Sequence, residues 1–140
     1  MAFTGNFSCN VFKTGLMNGT FNFTSGTFYI ALYTNDATLD ASTTAYTATG
    51  EVVASGYTAG GLALTIAQVP TVGTGSTAYI SFDNAAWTSA LTARGALIYQ
   101  SGGGNPAVCV LDFGADKTST ATFTVQFPAV SNTSAIIRIA

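Results

Sequence analysis

The chain has 140 residues and a net charge of −2, and 7% of its residues are charged, against about 25% in an ordinary soluble domain. At 48% hydrophobic and 12% aromatic it is too apolar to be disordered, and its length suits one domain of roughly 100–200 residues. Four basic residues cannot neutralise a row of phosphates, and the chain has no histidine, the commonest general base and metal ligand; nucleic-acid binding and histidine-based catalysis are therefore excluded.

The opening residues Met1 to Ser8 lack the basic and apolar regions of a secretory leader, and no apolar run approaches the ~18 residues of a membrane helix. From Phe7 to Met17 the residues Phe7, Val11, Phe12 and Leu16 recur at helical spacing. This predicts one short helix, capped by Ser8 and ended at Gly19. Everything after it has β character. In Thr27–Tyr33, Phe28, Ile30 and Leu32 form one face and Tyr29, Ala31 and Tyr33 the other. Both faces are apolar, so this strand should be covered on both sides. Asn35–Thr49 is polar and small and reads as a long excursion before a strand near Glu51–Ala54, and Gly56–Gly61 is turn chemistry.

Leu62–Val69 alternates until Pro70, which should stop it, and Gly73-Thr74-Gly75 turns the chain into a strand at Thr77–Phe82. A short segment at Trp87–Leu91 leads to strands at Ala93–Gln100 and Ala107–Phe113, joined by the hairpin loop Ser101–Pro106. After polar Asp112–Ser119, Thr122, Thr124 and Gln126 alternate with Phe123, Val125 and Phe127 until Pro128. Ala135–Ile139 closes the chain. Eight or nine strands with turn signals every 8–12 residues fit a closed up-and-down barrel or a two-sheet jelly roll. The long Asn35–Thr49 crossing favours the second, so an all-β, two-sheet sandwich of jelly-roll type with one N-terminal helix is expected. The division expected is an N-terminal arm over residues 1–19 and a β-sandwich over residues 20–140.

The residues that could carry chemistry read mostly as structure. Cys9 and Cys109 match no metal spacing and read as two buried thiols in preference to a disulfide. Asp36 with Asp40, and Asp112 with Asp116, sit where Asp caps turns, and neither pair fits a calcium loop. Ser-His-Asp catalysis is impossible, and Lys13 and Lys117 lack the Ser-x-x-Lys context. Arg94 opens an apolar strand and needs an acid or carbonyls, with Asp83 or Asp112 as the natural partner. It reads as a structural clamp in preference to a subunit-interface contact or a ligand-binding role. Trp87 and the six tyrosines read as packing residues with polar handles more than as a sugar platform. Gly102-Gly103-Gly104 is a loop and not a phosphate cradle. The sequons at Asn6, Asn18, Asn22 and Asn132 carry no weight without a leader. No catalytic, cofactor or metal residues are assigned.

Few charges leave the exterior to Thr, Ser, Asn and Gly. Burying a hydroxyl that finds a partner costs far less than burying a charge, and interface cores are depleted of charge for this reason. Part of this exterior is therefore expected to be covered, in a homo-oligomer or on a larger assembly.

Phe28–Thr44 (Phe-Tyr-Ile-Ala-Leu-Tyr-Thr-Asn-Asp-Ala-Thr-Leu-Asp-Ala-Ser-Thr-Thr), then Tyr46–Val52, Gly56–Gly61, Ile80–Trp87, Thr92–Tyr99, Val110–Gly114 and Phe123–Pro128, follow one another between Phe12 and Ile139. In these blocks the chain resembles a family of small virion proteins encoded by tailed bacteriophages; Cys9, Cys109 and the first ten residues match least. The resemblance implies a particle component and not an enzyme, and brings no site residues with it. The leading expectation is a trimeric capsid decoration (cement) protein. It would clamp the major capsid protein from outside, with Met1–Gly19 as docking arm, on a virion assembled in the bacterial cytoplasm. The alternatives are a tail, collar or fibre component, including a receptor-binding adhesin for host glycans, and a polysaccharide-cleaving enzyme using paired aspartates.

Overall fold

The apolar alternations of the sequence become strands in the computed structural model, which describes residues 3–140. In chain order the elements are β1 (Phe7–Ser8), α1 (Asn10–Asn18), β2 (Phe28–Tyr33), β3 (Leu62–Ala63), β4 (Ile66–Val72) and β5 (Ala78–Phe82). They continue with β6 (Ala85–Trp87), β7 (Thr92–Gln100), β8 (Ala107–Thr118), β9 (Phe123–Val125) and β10 (Ile137–Ile139). The fold is an all-β sandwich with one short helix. A five-stranded sheet, ordered β1-β8-β7-β2-β3, is faced by a three-stranded sheet, β10-β5-β4, and a two-stranded sheet, β6-β9. The strand pairings within them are antiparallel.

Aromatic side chains join these layers. Phe28 of β2 stacks on Phe23 with ring centroids 4.4 Å apart, and both lean on Phe82 of β5. Phe123 of β9 meets Trp87 of β6 and Phe113 of β8. As the double apolar face predicts, β2 is buried from Ile30 to Tyr33. The expected alternation of exposed threonines with Phe123 and Val125 also holds. Gly61 lets β3 approach β2, because a Cβ there, at φ +82°, would lie 1.8 Å from the Ile30 carbonyl oxygen.

Several boundaries differ from expectation. The helix starts at Asn10 and not at Phe7, because Phe7 and Ser8 pair with Val110 and Cys109. Cys9, not Ser8, precedes the helix and gives it no side-chain cap, while Gly19 ends it as expected. Pro70 does not stop its strand. It lies inside β4, an edge strand, at a register shift between Gln68 and Thr71, where a missing N–H costs no ladder bond. The strand expected at Glu51–Ala54 is reduced to one bridge between Glu51 and Tyr33, and the chain then turns so that Val53 is 97% exposed. The polar stretch after Phe113 stays in β8, whose register slips beside Arg94 as Gly114 takes φ +82°.

Over its described part the N-terminal stretch packs into the body of the domain. Phe3, Cys9 and Phe12 belong to the common core. The Phe3 ring rests on Gly95, where a Cβ would come within 2.3 Å of it. Met1 and Ala2, the beginning of the expected arm, lie outside the described residues.

Candidate functional site

Glu51 is the sole glutamate of the chain and is 8% exposed. The excursion between β2 and β3 delivers it to the sheet: Thr34 N–H donates to the Gly50 carbonyl and Val52 N–H to the Leu32 carbonyl, both at 2.9 Å. Its carboxylate accepts three hydrogen bonds, from the Tyr46 hydroxyl at 2.6 Å, the Tyr57 hydroxyl at 2.7 Å and the Gly60 N–H at 2.8 Å. The Tyr57 oxygen in turn accepts the Leu32 N–H, and the Tyr99 and Tyr33 hydroxyls donate to the Gly60 and Thr47 carbonyls. Tyr99 stacks between Tyr29 and Tyr46, at 5.8 and 5.0 Å. Burial, followed by the hydrogen bond to Glu51, pushes the Tyr46 phenol up to about 12. Burial and the Glu51 charge push Tyr99 up to about 12. Tyr33 and Tyr57 rise further, mainly through burial. These phenols stay neutral at ordinary pH, and the cluster is a closed tie between excursion and sheet.

The structure sorts the other candidates. Arg94 pairs with Asp112 and not with Asp83, which is exposed. The guanidinium also lies 5.6 Å over the Phe3 ring. Burial raises the Asp112 carboxyl, but the Gly114 N–H and Arg94 outweigh it, so the net direction is down. Asp40 accepts the N–H and hydroxyl of Ser42, the turn role expected of it. Cys9 and Cys109 are free and buried, and burial pushes their thiols up to about 11 and about 12. Trp87 is buried against Tyr57 and Phe123, and its indole N–H has no partner among the described residues. Gly102–Gly104 is an exposed turn between β7 and β8. No cluster of three potential metal-ligating side chains occurs among the described residues, and no helix among them is long and apolar enough to cross a membrane.

What remains open to a partner is surface. Met17 is 83% and Ile139 54% exposed, with Leu16, Val69, Val72 and Val130 also outside. Where α1 meets β10, two clefts of about 260 and 510 Å³ lie beside the strand. The smaller is walled by Phe12, Phe21, Pro70 and Tyr79 among others, and the larger carries Lys13 and Arg138. A third, of about 770 Å³, opens between the end of β8 and β9 under a row of threonines, with Phe113, Phe123 and Lys117 in its lining. These surfaces can bury apolar groups and satisfy hydroxyls. Sequence reading missed both the tie and the groove. A lone glutamate between Tyr46 and Tyr57 was a visible signal for the tie, but nothing local marked the groove, which α1 and β10 form from opposite ends of the chain. No family model, curated protein or solved structure matches this chain.

Proposed function

We propose that the chain is a structural protein of a tailed-phage virion that decorates the capsid. It would work as a homo-oligomer, expected to be a trimer, seated on the major capsid protein from outside. One observation carries this reading: a β domain with 7% charged residues leaves apolar side chains such as Met17 and Ile139 in solvent, while its buried glutamate and its Arg94–Asp112 pair are occupied in holding the fold. Such a surface suits lasting contact with neighbours. The ordered blocks of family resemblance between Phe12 and Ile139 point the same way.

The mechanism is mass action. A protein that binds only the assembled lattice stabilises that lattice, and an oligomer gripping several subunits multiplies modest single-site affinities. Counting copies in purified particles tests this. A decoration protein scales with the number of major-capsid subunits. A small fixed number per particle would place the chain in the tail, collar or fibre instead. A purified chain that stays monomeric at high concentration and binds no particle would overturn the reading.

A further inference from the structure

The two clefts beside β10 share Phe12, Leu16, Ile137 and Ile139, so they are the flanks of one apolar groove between α1 and the three-stranded sheet. Its charged side chains have one sign. Lys13 on α1 and Arg138 on β10 line the larger flank, and no Asp or Glu side chain lines either flank. Neither cation makes an ion pair among the described residues, where Arg94–Asp112 is the ion pair found. Half of the four cations in a net-negative chain therefore converge on one apolar surface. A two-fold contact between copies would set this patch against itself, cation facing cation. In a ring of three a copy would offer its other exposed apolar side chains, Val53, Val69, Val72 and Val130, none of which has an exposed Asp or Glu beside it in sequence. The charge pattern thus disfavours a second copy as occupant. Complementarity asks for an apolar partner that brings carboxylates.

We infer that this groove receives an apolar segment bearing at least one Asp or Glu from a different protein of the particle, which under the decoration reading, on which this rests, is the shell protein. Its apolar side chains lie along Phe12, Leu16 and Ile139, and its carboxylate meets Lys13 and Arg138 at the rim. Both cations are exposed, so changing them leaves the core intact.

The test uses the full chain and particles grown without it, with binding measured by co-sedimentation. The double variant Lys13→Glu, Arg138→Glu should bind about 10–100-fold more weakly than wild type, with melting temperature and oligomeric state unchanged. Lys117→Glu, away from the groove, should bind like wild type. Wild-type binding should also weaken as salt rises. Equal binding by the double variant and wild type would overturn the inference alone. Loss of the oligomer in the double variant would overturn it in favour of a second copy as occupant. Wild-type capture by phosphatidylglycerol vesicles, abolished in the double variant, would overturn it in favour of a lipid. Failure of wild type to bind any particle would overturn the decoration reading and this inference with it.

Discussion

In the middle of the five-stranded sheet, β2 and β7 are buried over most of their length, and the Glu51 tie seals the sheet beneath the excursion. On the flank where α1 meets β10, β4 alternates half-buried and exposed residues, β10 has three residues, and Leu16 and Ile139 stand partly in solvent. The two regions draw on the same apolar residue types but spend them differently. The first satisfies the Glu51 carboxylate and the phenols bonded around it, and so fixes the fold. The second leaves apolar area and two cations unsatisfied, which is unfavourable for an isolated domain and useful only when something covers it. Damage to the first should appear as lost stability, and damage to the second as lost association.

The largest effect is expected in the first region. Phe28 is 1% exposed and stacked on Phe23, so Phe28→Ala should cost about 3–5 kcal/mol in denaturant unfolding. A cost near zero would mean that the sheets do not meet through this ring.

Next comes the tie. Glu51→Ala strands two phenols and the Gly60 N–H and should cost about 2–4 kcal/mol. Glu51→Gln keeps an acceptor for Tyr57 and Gly60, while Tyr46 can reverse its hydroxyl, so it should cost less than half as much. Equal costs would show that the carboxylate is not the centre of the network. The same region sets the alkaline limit. The Tyr46 and Tyr99 phenols move from 10.0 in the unfolded chain to about 12 in the fold. A raised folded value favours the neutral phenol in the native state. The stability tied to it is thus complete below pH 10 and falls as pH rises through about 12. The part of the phenolate absorbance that Tyr46→Phe and Tyr99→Phe remove should therefore appear together with unfolding and not before it.

How legible these regions were in sequence follows from the range of their contacts. The strands that bury both faces were readable because period-two alternation is local: Phe28, Ile30 and Leu32 announce β2 unaided. The interior placement of Cys9, Cys109 and Trp87 followed from residue type. The start of α1 was misread because Phe7 and Ser8 are claimed by β8, about a hundred residues away, and pairing at that distance leaves no periodic trace. Pro70 was misread for a similar reason: whether it breaks a strand depends on which edge its nitrogen faces, and the neighbours decide that. The Glu51 tie spans Tyr29 to Tyr99, and the groove joins α1 to the other end of the chain. Sites assembled across such separations belong to topology and not to any window of sequence.

A smaller effect is expected at the clamp. The Arg94 and Asp112 side chains are 14% and 12% exposed, and Arg94→Leu should cost about 1.5–3 kcal/mol. Because the Asp112 carboxyl lies below its ordinary 3.8 in the fold, its stabilisation is present above that value and lost as pH falls. Wild type should therefore lose stability in acid more steeply than Arg94→Leu. The two thiols, raised by burial, should resist thiol reagents until the domain unfolds; rapid labelling of native protein would show that β1 opens on its own.

The smallest stability effects are the ones that separate the two regions most cleanly. Met17, on α1 beside the groove, and Val53, on the excursion beyond the tie, are 83% and 97% exposed. Met17→Ser and Val53→Ser should each change unfolding stability by no more than about 0.5 kcal/mol, because neither removes packed area. By stability alone the two positions are equivalent. They should part company in particle binding, where Met17→Ser weakens attachment and Val53→Ser does not, if the α1 side is the one turned toward the shell as proposed. If Val53→Ser were the one that weakened binding, the excursion and not the groove would be the face turned toward the shell.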